Sequence, residues 1–204
     1  MSETTVAITH ATPADVPTVA SVLARAFQDD PVFRWSIPDA DRRRVFLPGV
    51  FAAFAELYLP CEETYLTEDG AGTALWAPAH VDPFHGEAGE VFGQRMTELL
   101  IEADAERCRT VGKVFAEHQP AQPWVYLQLI GVVPDHQRRG LGSRLLAPVL
   151  ARCDAAGTPA YLEASSMDNR RLYERHGFAT IGEVTLPDGG PLVWLMWREP
   201  GARA

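Results

Sequence analysis

The sequence is poor in the features that announce several protein classes. It has three cysteines, Cys61, Cys108 and Cys153, odd in number and far apart. No disulfide framework is expected from them, and free thiols in a reducing compartment are. Basic side chains are outnumbered, 18 Lys and Arg against 27 Asp and Glu, for a formal net charge of −9. Such a balance argues against a nucleic acid partner, because a chain that grips phosphates along a strand shows a basic face. An acidic surface favours instead a cationic substrate such as an amine. No apolar run approaches the ~18 residues of a membrane span, so no membrane partner is expected. The polar, acidic start MSETTVAITHATPADV is no signal peptide. No internal repeat or low-complexity run is present. The expected location is the cytoplasm.

What is present suits one domain spanning residues 1–204, with 47% apolar and 22% charged residues. VAITHATPADVPTVASVLARAF reads as a short strand, a turn and a helix with Thr12 as N-cap and Pro13 in its first position, carrying Val16, Val19, Ala20, Leu23 and Phe27 at helical spacing. DDPVFRWSIPD reads as a proline-punctuated loop. ADRRRVFLPGVFAAFAELYL is helical with a kink or break at Pro48-Gly49. TYLTEDGAGTALWAPA is a hairpin turning at Asp69-Gly70. Residues 87–117 are helical in period, and Gly112 with the charged centre argues against one unbroken helix. After the linker HQPAQP, residues 124–133 (WVYLQLIGVV) form a buried central strand. A helix ending at Gly157, with a kink expected at Pro148, then the strand AYLEAS, the short helix MDNRRLYERHG and two strands around PDGGP complete the chain. The order defines an α/β domain with a mixed sheet.

The stretch GVVPDHQRRGLGSRLL, residues 131–146, stands out because an acidic chain gathers Arg138, Arg139 and Arg144 at the start of a helix. The first helical amides lack carbonyl partners, and the helix dipole places partial positive charge there. Gly140 and Gly142 remove side chains that would keep a ligand away, which makes a nest of N–H donors suited to phosphate. Arg138 and Arg139 add charge that reaches phosphate oxygens. The alternative is a glycine-rich strand–helix turn with solvated arginines. A dinucleotide fingerprint fails, since Leu145 stands where a third glycine should fall. A P-loop fails for want of a nearby lysine.

The pattern Gln137-x-x-Gly140-x-Gly142 after a Val-x-Pro strand end resembles the pyrophosphate signature of the GNAT superfamily of acetyl-CoA-dependent N-acetyltransferases. The resemblance continues through YLEASSMDNRRLYERHGF and covers residues 124–182. Within the superfamily, PDHQRRGLGS, LEAS and LYERHGF look most like the puromycin N-acetyltransferase branch, and ATPADVP and AFQDDP extend the likeness loosely into the N-terminal half. It implies a mixed, mostly antiparallel central sheet flanked by helices, with a splayed strand pair that takes the pantetheine arm of acetyl-CoA. Backbone groups of Ile130, Gly131 and Val132 would pair with that arm as an added strand does. Residues Arg138, Arg139, Gly140, Leu141, Gly142 and Ser143 would hold the pyrophosphate. A backbone N–H near Val132 would polarise the thioester carbonyl.

The same resemblance assigns the thiolate's proton donor to Tyr173 and offers Glu163 as the base that takes the amine's proton. Their bland alternatives are a packing tyrosine and a surface or salt-bridging glutamate. Asn169 contacts the cofactor or caps its helix. In many family members the asparagine lies seven residues before the tyrosine, a place held here by Ser166. For the acceptor amine, the substrate-binding candidates are Phe27, Asp30, Trp35, Trp76 and Tyr126, with Asp29, Phe33, Tyr58 and Trp124 nearby in type. Carboxylates beside aromatic faces suit a cation, and the alternative is that these aromatics are core.

Other signals carry less. His10, His80, His85, His118, His136 and His176 lack ligand-like clustering, so no metal is expected. Cys153 lies among Leu145, Leu146, Val149 and Leu150 and reads as core. Arg42, Arg43 and Arg44 are a solvated helix face, or meet the 3′-phosphate of coenzyme A or a partner. The expected activity is direct acetyl transfer from acetyl-CoA to the amine of a small molecule, an aminonucleoside or other antibiotic among the options. The rivals are a protein or peptide N-acetyltransferase and a non-catalytic acyl-CoA sensor. A homodimer is compatible with the family resembled.

Overall fold

A computed structural model of the protein describes residues 6–202. Residues 1–5 and 203–204, which the sequence reading included in the domain, lie outside the described residues. Strand β1 (Ile8–His10) leads into helix α1 (Val16–Ala26), whose approach is fixed by the Asp15 carboxylate accepting the Thr12 N–H at 2.8 Å. The segment read as a loop is helix α2 (Pro31–Ser36). Asp30 caps it, accepting from Val32 N and Phe33 N at 2.9 and 3.2 Å, and Pro31 takes a first-turn position where no N–H is needed.

Helix α3 (Ala40–Tyr58) runs unbroken through Pro48-Gly49. The one hydrogen bond that proline removes is outweighed by packing, since Leu47, Val50, Phe51, Ala55 and Tyr58 all enter the core. Residues 40–61 do have the length and apolarity of a membrane span, contrary to the sequence reading, yet here that surface meets α1 and the sheet. The arginine run is neither a uniformly solvated face nor a free phosphate contact. Arg43 is buried and donates to the carbonyls of Gln28, Ile37 and Pro38, Arg42 grips Asp104 through two bonds, and Arg44 pairs with Asp41.

Strands β2 (Thr64–Thr67) and β3 (Gly72–Ala77) form the expected hairpin, with Gly70 left-handed at φ +65°. Helices α4 (Glu87–Leu99) and α5 (Glu102–Glu117) replace one long helix. The break falls at Leu100–Ile101, where the chain turns extended and Leu100 is buried, while Gly112 lies inside α5. Then follow β4 (Val125–Val132), α6 (Leu141–Ala156), β5 (Ala160–Ala164), α7 (Met167–Glu174), β6 (Ala179–Thr185) and β7 (Leu192–Arg198). Pro148 sits within α6, which continues past it to a left-handed Gly157 cap.

The seven strands form one sheet in the order β1-β2-β3-β4-β5-β7-β6, antiparallel except for β4 with β5. Leu75, Ala77, Tyr126, Leu129 and Tyr161 belong to the core cluster shared with α1 and α3. Ala74, Trp76, Leu127 and Leu162 belong to the one built with α6. Two irregularities in β4 prepare a site. Its register with β3 jumps from Leu75↔Leu129 to Trp76↔Leu127, so Gln128 is an extra residue, a bulge that resets the alternation and returns Leu129 to the α1–α3 side. On its other edge β4 pairs with β5 only through Val125↔Ala160 and Tyr126↔Tyr161. Beyond Tyr126 the two strands part.

Candidate active site

A cavity of about 870 Å³ opens where β4 and β5 separate, and α2, α3, α4 and α5 wall it. Glu163, on β5 just past the last paired residue, lines this cavity. Its Oε2 accepts a hydrogen bond from the Tyr126 hydroxyl at 2.6 Å. Its Oε1 and the Tyr161 hydroxyl are both buried without a well-formed hydrogen bond. Burial raises the Glu163 carboxyl to about 7, and the Tyr126 hydroxyl only partly opposes that. The same enclosure, with the glutamate's charge behind it, holds the Tyr126 hydroxyl well above the ordinary phenol range. Tyr126 and Tyr161 stack at 19° and Trp124 packs on both, so the carboxyl stands on a rigid aromatic floor.

Across the opening lie Asp30, Ser165, Asn169 and Tyr173, all lining the cavity. Asp30 Oδ2 accepts from the Ser165 hydroxyl, and Asn169 Nδ2 donates to Ser165 Oγ at 3.4 Å. Burial raises the Asp30 carboxyl, against the hydrogen bonds from Ser165 and the α2 amides. Tyr173 is buried against Phe178, and burial first, then the charge of Asp30, pushes its hydroxyl up. A tyrosine so held stays protonated at neutral pH. The cap of α7 is Ser166, which accepts from Asn169 N at 3.2 Å, so the Asn169 side chain is not the cap.

The turn into α6 has the shape that phosphate requires. Gly140 is the N-cap residue at φ +79°, and Arg138 is also left-handed at φ +60°. Successive turns of this kind make a concave row of amides. Among the described residues, no acceptor takes the backbone N–H of any residue from 138 to 143. The two glycines have different reasons. Gly140 is needed for its backbone angle, with open space around it, whereas a Cβ at Gly142 would come within 3.1 Å of Leu172 on α7. Arg138 and Arg139 are exposed beside the turn, and Ser143 Oγ lies 2.9 Å from His176 Nε2. Ile130, Gly131 and Val132 follow the parting of β4 from β5, though the Val132 carbonyl already accepts from Gln137 Nε2 at 3.1 Å.

Of the acceptor candidates, Phe27, Asp30 and Tyr126 line the cavity. Trp76 does not. It is fully buried on the α6 face, because strand parity sends Trp76 opposite to Leu75 and Ala77. Trp35 does not either, since it packs with Val32, Leu186 and Val193 beside the β6–β7 turn. Tyr58, named in the sequence only as a nearby aromatic, lines the cavity and its hydroxyl donates to Gln128 Oε1 at 2.7 Å, while Ser165 and the phenylalanines of α3 and α4 were not singled out as site residues. The Asp30-Pro31 pair was a readable cap signal, but nothing in one sequence marks the bulge at Gln128. Cys153 is buried with its thiol pushed up to about 11 by burial, the setting of a core residue rather than a nucleophile.

A strand pair that parts beside an open nest of amides, with a carboxyl and a tyrosine at the gap, defines the class of acyl-CoA-dependent transferases. The sequence matches the Acetyltransferase (GNAT) family over residues 51–178, and the chain belongs to that family. A crystallised Corynebacterium glutamicum protein, described as histone acetyltransferase HPA2 and related acetyltransferase, is 28% identical, with a TM-score of 0.72 over 98% of each chain. Arylalkylamine N-acetyltransferase 2 from Aedes aegypti shares the fold at 12% identity, with a TM-score of 0.64 over 96% of this chain and 99% of its own. An uncharacterised N-acetyltransferase of Schizosaccharomyces pombe is 38% identical over 77 residues, 37% of this chain and 31% of the relative's length.

Proposed function

We propose that the protein, as a single-domain cytoplasmic enzyme, moves the acetyl group of acetyl-CoA directly to the amine of a small molecule. The observation that carries this reading is Glu163, a buried carboxyl held at about 7 at the point where β4 and β5 part. A base with that affinity for protons is half-ionised near neutrality and matched to an amine that must lose one. Acetyl-CoA supplies an activated carbonyl and a thiolate leaving group. Arg138, Arg139 and the amides of Gly140, Leu141, Gly142 and Ser143 hold its pyrophosphate. The free edge of β4 at Ile130, Gly131 and Val132 aligns its pantetheine arm, with a Val132-region N–H on the thioester oxygen.

Glu163 takes the proton from the attacking amine as the carbon–nitrogen bond forms. The carbon–sulfur bond breaks, and Tyr173 protonates the departing thiolate. Asn169 and Asp30 hold Ser165 between them at the same gap. Phe27, Asp30 and Tyr126 face the acceptor.

The test is thiol release from acetyl-CoA with puromycin, an aminoglycoside, a polyamine and a peptide, run on the full chain and on Tyr173→Phe. The catalyst reading expects release with an amine, and a turnover loss of about 10²-fold in the variant with coenzyme A affinity kept. No release with any amine would leave an acyl-CoA sensor, and release with the peptide alone would leave a protein acetyltransferase.

A further inference from the structure

The far end of the cavity is lined by aromatic rings. Phe54 on α3, Phe84 on the 78–86 loop and Phe92 on α4 form a three-ring cluster, with centroids 4.8 Å apart for Phe54 and Phe92 and 5.3 Å for Phe84 and Phe92. Phe84 also meets Tyr58 edge-on at 6.1 Å. Gly93, next to Phe92 on α4, and Gly112 on α5 also line the cavity, and a Cβ on either would meet nothing within 4 Å. Glycine inside a helix destabilises it. Two of them facing the same space, with no backbone angle or close packing to require them, keep that space open.

The loop carrying Phe84 is shaped to close over this end. The chain turns through left-handed His80 at φ +68° and Gly86 at φ +71°. Asp82 Oδ1 accepts the Phe84 N–H at 3.0 Å. At Gly89 a Cβ would lie 1.8 Å from the Phe84 carbonyl oxygen, so only glycine there lets the loop sit down on α4. Asp82 is the one carboxylate lining this end among the described residues, and it is already engaged by that N–H. Arg109, which also lines it, is paired with Glu102 and Glu106. A second ammonium reaching this end would be desolvated among rings without a free carboxylate to meet it.

We propose that the acceptor is a compact primary amine with a single charge and an aromatic body, the body lying over Gly93 and Gly112 beneath the Phe84 loop. This rests on the transfer reading above and names its substrate class. Phe84 is then a specificity-determining residue, and Gly89 positions it. A peptide chain, which needs an open groove in both directions, would meet the Phe84 loop at this end.

The experiment compares kcat/KM for phenethylamine, ethylamine, spermidine and a peptide with a free N-terminus, in the full chain, Phe84→Ala, Gly112→Ala and Gly112→Leu. Burying a phenyl ring should favour phenethylamine over ethylamine by about 10²-fold, with spermidine and the peptide no better than ethylamine. Phe84→Ala should cut that preference about tenfold. Gly112→Leu should abolish it, bringing the ratio of phenethylamine to ethylamine to about one. Gly112→Ala should raise Tm by about 2–4 °C and still raise KM for phenethylamine, an effect that loss of folding cannot imitate.

Preference for spermidine or the peptide, or an unchanged preference in both Phe84→Ala and Gly112→Leu, overturns the proposal and spares the transfer reading. If no amine is acetylated, calorimetry of phenethylamine with the coenzyme A-loaded protein decides. Binding that Gly112→Leu removes upholds the aromatic site and sinks acetyl transfer, and absence of binding sinks both.

Discussion

The turn between β4 and α6 and the cavity beneath α4 and α5, which the proposed transfer assigns to acetyl-CoA and to the amine, are built by opposite means. The turn works with backbone. Its donors are the amides of six consecutive residues, its shape is set by Arg138 and Gly140 at positive φ, and its side chains supply only charge. The cavity works with side chains drawn from far apart, Phe27 and Asp30 before α3, Phe54 within it, Phe84 and Phe92 near α4, Tyr126 and Glu163 on the parting strands. A ligand common to many enzymes can be held by atoms every residue has. A particular ligand must be held by atoms only some residues have, and these need the whole fold to bring them together.

Glu163 lies in the cavity at the point where β4 and β5 part, and its replacement should have the largest effect. Glu163→Gln is expected to lower kcat by about 10³-fold with the Kd of coenzyme A unchanged. In the parent protein kcat/KM should rise with pH through about 7, as the base ionises, and that limb should vanish in the variant. Stability should move the other way. The folded carboxyl sits near 7 and the unfolded one near 4.5, so its stabilising share is complete below about 4.5 and is lost as pH rises through 7. Glu163→Gln should remove that loss, on the order of 2–3 kcal/mol, in denaturation measured at pH 5 and at pH 8. A stability difference with no kinetic effect would mean that the cavity's carboxyl is merely tolerated.

Arg138→Ala with Arg139→Ala should weaken coenzyme A binding about 10- to 100-fold by calorimetry, increasingly so at low salt, with kcat at saturation nearly unchanged. Unaltered affinity would place the pyrophosphate elsewhere and erase the contrast between the two regions. Gly140→Ala should cost about 1 kcal/mol in urea denaturation, from its left-handed angle alone, and raise the Kd of coenzyme A several-fold. It is the smallest of these effects, and the one that isolates backbone shape from side-chain charge.

The contrast also explains what could be read in advance. The strand, turn and helix from residue 124 to 157 follow from local chemistry, with β-branched and aromatic residues, Pro134, two glycines and a helical repeat within one stretch. The acceptor side was half legible. Phe27, Asp30 and Tyr126 were picked out by type and reach the cavity, but Trp35 and Trp76 were picked by the same criterion and do not. An aromatic side chain's destination depends on strand parity and on which helix lies above it, and the Gln128 bulge changes that parity midway along β4. Gly112 counted in the sequence only as an argument against one unbroken helix and Gly93 was not singled out, and it takes the assembled cavity to show that both line it.

The early parting of β4 from β5 has a consequence for the protein's life between turnovers. Two rungs join these strands, so the middle of the sheet is a seam closed at one end. Acetyl-CoA lying along the open part, as proposed, would be mortar as well as reagent. Since whatever binds only the folded chain adds to its stability in proportion to the logarithm of its concentration, the protein's resistance to unfolding should track the cell's supply of acetyl donor. Scarcity would then thin the population of enzyme as well as slow each molecule.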